Sequence, residues 1–261
     1  MARDSRGQTS PLLLIALFAT GGFALWSLNP PDGPEAASDS CDAAPCLAVA
    51  ETGIEPPRLG SEAVCNGSGY LCAQLAESVD FQVSRWPLDR PPLRVEIVLP
   101  EHEDDPARAR ALLRAAVRGI QAWQGKPLPL SIVDRPGASG GAPDIKVTWS
   151  AQLDGSALGV TKTRWETTDQ GPTFTSVVVV LATRSPYNRR FEVSPEDVEL
   201  VAAHEMGHAL GLPHSNSGKD LMFPTNTASR LSAQDYRTME ALYNLPNGVT
   251  ISAGQTASGG R

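Results

Sequence analysis

The sequence predicts an α+β domain in which a mixed β-sheet packs against one long helix and two further helices follow. Three patterns lead to this prediction. Apolar side chains recur at every second position over residues 93–99, as in a strand with one buried face. They recur at three- and four-residue steps over residues 109–123, as in an amphipathic helix. Residues 177–181 form an unbroken apolar run, which favours a central strand covered on both faces.

Four more segments complete the predicted sheet and its connections. Residues 130–133 and 145–149 are expected to form two further strands. Residues 158–165 carry polar side chains on one side, which is typical of an edge strand. A turn over residues 169–172 then leads into the central strand at 175–183.

Each of the three helices begins at a recognisable capping sequence. The capping pairs are Asp105 with Pro106, Ser194 with Pro195, and Ser232 with Asp235. A short polar side chain can accept hydrogen bonds from the first free amides of a helix, and proline fits its first turn. Gly211 is expected to end the second helix, because glycine adopts the left-handed conformation that stops one.

Length and charge limit the classes of function. The chain has 261 residues, enough for one full-sized domain with extensions. Its formal net charge is −7, without a long block of either sign. Nucleic-acid binding needs clustered Lys and Arg to replace phosphate counterions, so we expect no nucleic-acid partner.

The N-terminal 28 residues are typical of an export signal. Arg3 and Arg6 precede an uncharged, apolar stretch over residues 11–28. The stretch is either a cleaved signal peptide or an uncleaved signal anchor, since a helix of this length just spans a bilayer. With either alternative the rest of the chain is extracytoplasmic, secreted or anchored to the membrane through residues 11–28, because the positive charges stay inside.

The four cysteines agree with export. Cys41, Cys46, Cys65 and Cys72 all precede the globular region, and an even number in an exported chain predicts two disulfides with three connectivities. Zinc binding by these cysteines is the alternative, but their spacing lacks paired C-x-x-C knuckles. The predicted division follows from composition: the signal or anchor at 1–28, a Pro/Ala-rich linker with the cysteines at 29–84, the globular domain at 85–246, and a flexible tail at 247–261.

The candidate site is a cluster of histidines in the second predicted helix. His204 and His208 lie one helical turn apart on the same face, so both imidazoles can reach one metal ion. Gly211 lets the chain reverse, which brings His214 back as the third ligand. Glu205 lies beside these ligands, where a carboxylate can activate the attacking water as a general base. Three protein ligands with one open position are typical of a catalytic zinc site.

The cluster resembles the metzincin zinc proteases. Residues 204–214 match the motif H-E-x-x-H-x-x-G-x-x-H, and Met222 follows eight residues later as the Met-turn of that family does. The matrixins are the most similar branch, because Ser215 follows the third histidine and residues 221–224 and 231–243 are similar to their Met-turn and closing helix. Departures from the animal matrixins favour a bacterial-type member.

The resemblance implies a fold and a site. The fold is a five-stranded mixed sheet with one antiparallel edge strand and three helices. A peptide or protein substrate would lie along the edge strand at residues 158–165. Met222 would form a hydrophobic floor under the histidines.

Some family features lack matching residues in this sequence. The chain has no histidines to spare for a second, structural zinc, so we expect one catalytic Zn²⁺. Asp154 and Asp169 are the candidate ligands for Ca²⁺. The cysteine latch motif of animal matrixins is absent, although Cys46 follows a proline. His102 is given no role.

These observations predict a zinc metalloendopeptidase that hydrolyses peptide bonds in extracytoplasmic proteins, with His204, His208 and His214 as metal ligands and Glu205 as general base. We expect it to be a monomer. The alternatives are a membrane-tethered metzincin-like binding module and a narrow processing protease. Glu205 argues against a binding module, which has no use for a general base.

Overall fold

The computed structural model describes residues 57–253, apart from residues 77, 90–91, 134–140, 170 and 226. The predicted export segment at 11–28 lies outside the described residues, as do Cys41 and Cys46. Within the described residues, no helix has both the length and the apolar character needed to cross a membrane.

Eight strands, four α-helices and one short 3₁₀-helix make up the described part of the chain. The strands are β1 (Arg58–Gly60), β2 (Asp80–Gln82), β3 (Leu93–Ile97), β4 (Leu130–Val133), β5 (Ile145–Ser150), β6 (Gly159–Thr168), β7 (Gly171–Ala182) and β8 (Thr250–Ser252). The helices are α1 (Ser61–Cys65), the 3₁₀-helix (Leu71–Ala76), α2 (Pro106–Gln121), α3 (Pro195–Ala209) and α4 (Ala233–Asn244).

The main sheet has five strands in the order β4-β3-β5-β7-β6. Neighbouring strands are parallel except β6, which pairs antiparallel with β7 at one edge. The predicted mixed sheet and its antiparallel edge strand are therefore confirmed. The predicted strand bounds at 130–133 are also those of β4.

The strand β7 differs from its prediction in one respect. Val177, Val179 and Leu181 are buried, but Val178 is 37% exposed. The apolar run is therefore covered mainly on the face that α3 packs against, and the expectation of two covered faces is wrong. A run of β-branched residues favours a strand through its propensity and does not by itself report what lies on each face.

The three predicted helices are confirmed together with their caps. Asp105 accepts a hydrogen bond from the amide of Ala107 at the start of α2, and Ser194 accepts one from Asp197 at the start of α3. Ser232 and Asp235 form a reciprocal capping box at the start of α4. The helices α2 and α3 pack against each other, and the Trp123 indole donates a 2.8 Å bond to the carbonyl of Ala203.

Residues 57–84 and 247–253 are folded, which differs from the predicted linker and flexible tail. The strand β8 lies between β1, which is parallel to it, and β2, which is antiparallel. Val249 and Ile251 are fully buried. The pairing joins segments more than 160 residues apart, so the short alternation over residues 249–252 does not by itself identify its partners.

One disulfide lies in this N-terminal part of the described chain. It joins Cys65 at the end of α1 to Cys72 in the 3₁₀-helix. These two cysteines are therefore not the ligands of a zinc site. Of the three predicted connectivities, only the one that pairs Cys41 with Cys46 is compatible with this bond.

Candidate active site

The helix α3 carries the first two histidines, one buried and one partly buried. Ser194 caps it, and Glu196 and Asp197 lie in its first turn, where negative charge is favourable. His204 is almost completely buried, and His208 lies one turn further along the same face. The spacing fixes the two imidazoles relative to each other through the backbone of one helix.

A glycine turn brings the third histidine to the other two. Gly211 has a φ of +103°, outside the range that other residues adopt easily. A Cβ atom at this position would also lie 3.1 Å from the carbonyl oxygen of Ser84 and from Cδ2 of Leu242. Glycine is therefore the residue that makes this reversal without strain, and His214 reaches the histidines of α3 as predicted.

The three imidazoles converge through their Nε2 atoms. Nε2 of His208 lies 3.1 Å from Nε2 of His204 and 3.1 Å from Nε2 of His214. Tetrahedral ligands at the usual Zn–N distance lie about 3.3 Å from one another. The triad has the spacing of three nitrogens that share one ion, and the potential ligand atoms all lie within 4.8 Å of one another.

The backbone fixes the proton on the opposite nitrogen of two of these rings. Nδ1 of His204 donates to the carbonyl of Leu221, and Nδ1 of His208 donates to that of Leu212, each at 2.8 Å. A carbonyl can only accept, so Nδ1 carries the hydrogen and Nε2 keeps its lone pair in the neutral ring. Two such nitrogens cannot hydrogen-bond to each other. Their 3.1 Å separation therefore fits a shared cation, and the donor set fits zinc.

Burial keeps these rings neutral. It lowers the pKa of His204 to about 4. It also lowers the pKa of His208 well below the ordinary value, and the neighbouring histidines add to this effect. The neutral form is the one that binds a metal ion.

Glu205 lies in a tight contact with the edge strand β6. Its carboxylate is buried and accepts a hydrogen bond from the Thr161 hydroxyl, whose oxygen lies 2.6 Å from Oε2. A Cβ atom at Gly159 would lie 2.6 Å from Cγ and Oε1 of Glu205, so only glycine permits this approach. Burial raises the pKa of Glu205 to about 7. Two positions on one face of β6 thus fix the side chain that follows His204.

The Met-turn lies directly beneath the ligand helix. Met222 is fully buried, and a side chain at Gly207 would overlap its sulfur atom. The carbonyl of Met222 accepts a 2.8 Å bond from the amide of Ser215, next to the third ligand. The contact with α3 is the one expected for a hydrophobic floor under the histidines.

Two buried carboxylates support the segment between His214 and the last helix. Asp220 accepts hydrogen bonds from the hydroxyls of Ser215 (2.5 Å) and Ser232 (2.6 Å). Asp235 accepts from the amides of Leu221 (3.0 Å) and Met222 (3.4 Å). His214, through its neighbour Ser215, and the Met-turn are therefore both connected to the start of α4.

Sequence reasoning missed several of these supporting residues. Gly159 and Thr161 lie in the predicted edge strand, but their contact with Glu205 spans more than 40 residues. The only available signal was the polar side of that strand. Asp235 was identified as a capping residue, whereas its bonds to the Met-turn have no local pattern.

The other candidate residues lie elsewhere. Nε2 of His102 is 2.8 Å from the Thr183 hydroxyl, away from the triad. Asp154 and Asp169 belong to no group of three or more potential metal ligands among the described residues, where the histidine triad is such a group. Calcium binding by these two residues stays a prediction.

Comparison with known proteins gives a consistent result. The sequence profile of the matrixin peptidase family matches residues 104–244. The chain is 51% identical over 53 residues to macrophage metalloelastase of Rattus norvegicus and 55% identical over 53 residues to that of Oryctolagus cuniculus. It is 44% identical over 64 residues to interstitial collagenase B of Mus musculus.

These alignments cover a small part of each protein. They include 18%, 18% and 22% of this chain, and 11%, 11% and 14% of the relatives. The similarity to those proteins therefore concerns a short stretch and not their full length.

Proposed function

The chain belongs to the matrixin family of zinc metalloendopeptidases, and we propose that it hydrolyses peptide bonds in extracytoplasmic proteins with Glu205 as the general base. The observation that carries this proposal is the convergence of three Nε2 atoms, two of them 3.1 Å from the third, beside a buried carboxylate. Such an arrangement has the parts that amide hydrolysis requires: a metal site, a base and a neighbouring sheet edge.

His204, His208 and His214 would hold the zinc ion. When bound, zinc supplies Lewis-acid chemistry to the scissile carbonyl and to the attacking water. The carbonyls of Leu221 and Leu212 keep the first two rings in the ligating tautomer and orientation.

Glu205 would move the proton. It accepts a proton from the water as the water attacks the carbonyl carbon, and it passes this proton to the nitrogen of the departing amine. The Thr161 hydroxyl holds the carboxylate through Oε2, and the carboxylate keeps further lone pairs that can take the proton. Gly159 keeps the opposite side of the carboxylate free of a side chain.

The edge strand β6 would bind the substrate. Its inner side pairs with β7, and its outer side ends the sheet. An extended peptide can add to such an edge through main-chain hydrogen bonds. Because β6 also contacts Glu205, this mode of binding would place the scissile bond next to the base.

A cavity of about 270 Å³ beside the ligand helix is the candidate specificity pocket. Ala203 and Leu221 both line this cavity. Ala203 directly precedes His204 in the sequence, and the Leu221 carbonyl accepts a hydrogen bond from Nδ1 of His204. Ser229 and Arg230, from the loop after the Met-turn, line it as well. Profiling of cleavage sites with a peptide library would identify the side chain that it accepts.

Two features support action outside the cytoplasm. One is the cationic and apolar N-terminal sequence, and the other is the disulfide between Cys65 and Cys72, a bond that persists in oxidising compartments. A narrow processing protease would share the same chemistry and differ only in its clients.

The test is peptide hydrolysis by the purified chain, with and without a chelator. We expect Glu205→Gln to lower kcat by about 10²- to 10⁴-fold, because proton transfer is lost. Glu196→Gln is the matched control, since Glu196 is an exposed glutamate in the first turn of the same helix. Full activity in Glu205→Gln, or hydrolysis that no chelator affects, would reject the proposal.

A further inference from the structure

The disulfide-closed segment over residues 65–72 contacts the last helix through Tyr70. Tyr70 is 3% exposed, and its hydroxyl donates a 2.8 Å hydrogen bond to Oδ1 of Asp235. Its amide donates to the hydroxyl of Thr238 at 3.1 Å. Asp235 and Thr238 lie three residues apart, on one face of α4, so the segment binds this face at two points.

Asp235 is the centre of a buried hydrogen-bond network. It is completely buried and accepts from the hydroxyl of Tyr70 and from three backbone amides, those of Ser232 (2.7 Å), Leu221 (3.0 Å) and Met222 (3.4 Å). A buried carboxylate is stable only when such donors satisfy it. Each donor therefore helps to fix the orientation of this side chain.

The network continues from Asp235 to the first metal ligand. Asp235 holds the amide of Leu221, and the carbonyl of the same residue accepts the bond from Nδ1 of His204. The Leu221 carbonyl shares its peptide unit with the Met222 amide, which also donates to Asp235, so a shift of this unit would turn the imidazole ring and move its Nε2 atom. Three hydrogen bonds thus connect Tyr70 to the ring that carries the ligand nitrogen.

The Tyr70 hydroxyl acts as the donor in this network. Burial, together with the negative charge of Asp235, raises the pKa of Tyr70 far above its ordinary value. The hydroxyl is therefore protonated at neutral pH and can donate to Asp235. The backbone also approaches closely here, because a side chain at Gly69 would overlap the hydroxyl of Thr238.

We propose that Tyr70 is a positioning residue for the metal site. The segment closed by the Cys65–Cys72 bond then contributes to the geometry of that site. This inference rests on the proposed zinc site. The matched family profile begins at residue 104, so the segment lies outside the region of similarity. Its role is to hold Asp235, and through it the Met-turn and His204, in the ligating geometry.

The first experiment measures the network in the metal-free full-length chain. Amide hydrogen exchange of Leu221 and Met222 should be faster in Tyr70→Phe than in the wild type, because Asp235 loses one of its donors. The control is Tyr243→Phe. This variant also removes a hydrogen bond that a buried tyrosine hydroxyl donates. The Tyr243 hydroxyl, on α4, donates to the carbonyl of Leu210, which lies outside the Asp235 network.

The second measurement is zinc affinity, by competition with a chelator of known affinity. Residues that orient ligands through hydrogen bonds change metal affinity by 10- to 100-fold. Tyr70 acts two residues further out, through Asp235 and Leu221, so we expect Tyr70→Phe to weaken binding by about tenfold, the lower end of this range. The absorption spectrum of the Co²⁺-loaded protein should change as well, since it reports ligand geometry without any turnover.

A second variant tests the closed segment itself. Cys65→Ser/Cys72→Ser should speed exchange at the same two amides and weaken zinc binding in the same direction as Tyr70→Phe. Exchange rates and zinc affinity equal to those of the wild type, or changes no larger than in Tyr243→Phe, would overturn the inference. The exchange experiment needs neither metal nor substrate. If Tyr70→Phe exchanges faster than the wild type at these amides but the wild type cleaves no peptide, the proposed function alone is rejected.

Discussion

The hydroxyl of Thr161 and the carboxylate of Glu205 are joined by a 2.6 Å hydrogen bond between the edge strand and the ligand helix. In the proposed function, the bond connects the two parts of the site that a peptide substrate would touch, the sheet edge and the proposed base Glu205. A carboxylate that is held by one oxygen keeps the other oxygen in a fixed direction. The geometry of the base therefore depends on a residue that lies outside the histidine motif.

Removal of this hydroxyl should lower kcat with little change in KM. Hydrogen bonds to charged groups contribute about 1.5–3 kcal/mol, which corresponds to about 10- to 100-fold in rate. We expect Thr161→Val to show a loss in this range in steady-state peptide hydrolysis. Thr161→Ser keeps the hydroxyl and should restore most of the rate. A serine variant as slow as the valine variant would show that the bond does not position Glu205.

Zinc should stabilise the folded chain through the triad. A ligand that binds only the folded state stabilises that state. The gain in the free energy of unfolding grows with the logarithm of the ratio of ligand concentration to Kd. Added zinc should therefore raise the midpoint of thermal unfolding of the metal-free wild type. In His208→Ala the same zinc concentration should give little or no increase. An equal increase in both proteins would place the bound metal elsewhere in the chain.

Acid should destabilise the fold through Glu103. Its side chain is 1% exposed and lies 2.7 Å from Nη1 of Arg184 and 3.1 Å from Nε of Arg108. Burial alone would raise the pKa of Glu103, but hydrogen bonds from Thr183 and Arg184 and the two positive charges outweigh it, so the pKa is lowered.

The sign of this pH effect follows from the lowered pKa. The contribution of Glu103 is fully present above its unfolded pKa of about 4.3, and it is lost as the pH falls through the lower pKa of the folded state. Urea unfolding of the metal-free chain from pH 6 to pH 3 should show this loss, and Glu103→Gln should reduce it. Glu192→Gln is the control, because Glu192 pairs with the same arginines but is 53% exposed. An unchanged pH dependence in Glu103→Gln would contradict the prediction.

Gly211→Ala should damage the metal site as well as the fold. Alanine at a φ of +103° is strained, and its Cβ would press on Ser84 and Leu242. We expect a loss of about 1–3 kcal/mol in the free energy of unfolding. We also expect weaker zinc binding, because the turn positions His214. Gly155→Ala has a similar left-handed strain but open space around it, so its zinc affinity should stay at the wild-type value.

The parts of the site that depend on local sequence could be predicted. His204 and His208 share a helix whose start is given by Ser194, and Gly211 ends that helix close to the predicted point. Periodicity and capping act within a few residues, so they are visible in one sequence.

The parts that depend on distant pairing could not be predicted. Thr161 meets Glu205 across the sheet edge, and Tyr70 meets Asp235 across most of the domain. The strand β8 forms only because β1 and β2 flank it. In each case the partner is chosen by the tertiary fold, and a single sequence carries no record of that choice.

The three-stranded sheet sets a limit on how far the chain can be trimmed. Removal of residues 58–60 would take away β1 and leave one side of β8 without main-chain partners. A fragment that starts at residue 85 would also lose β2 and uncover the apolar side chains of Val249 and Ile251, which invites aggregation. A fragment that keeps the whole three-stranded sheet therefore has to begin before Arg58, and this boundary applies to the design of recombinant fragments.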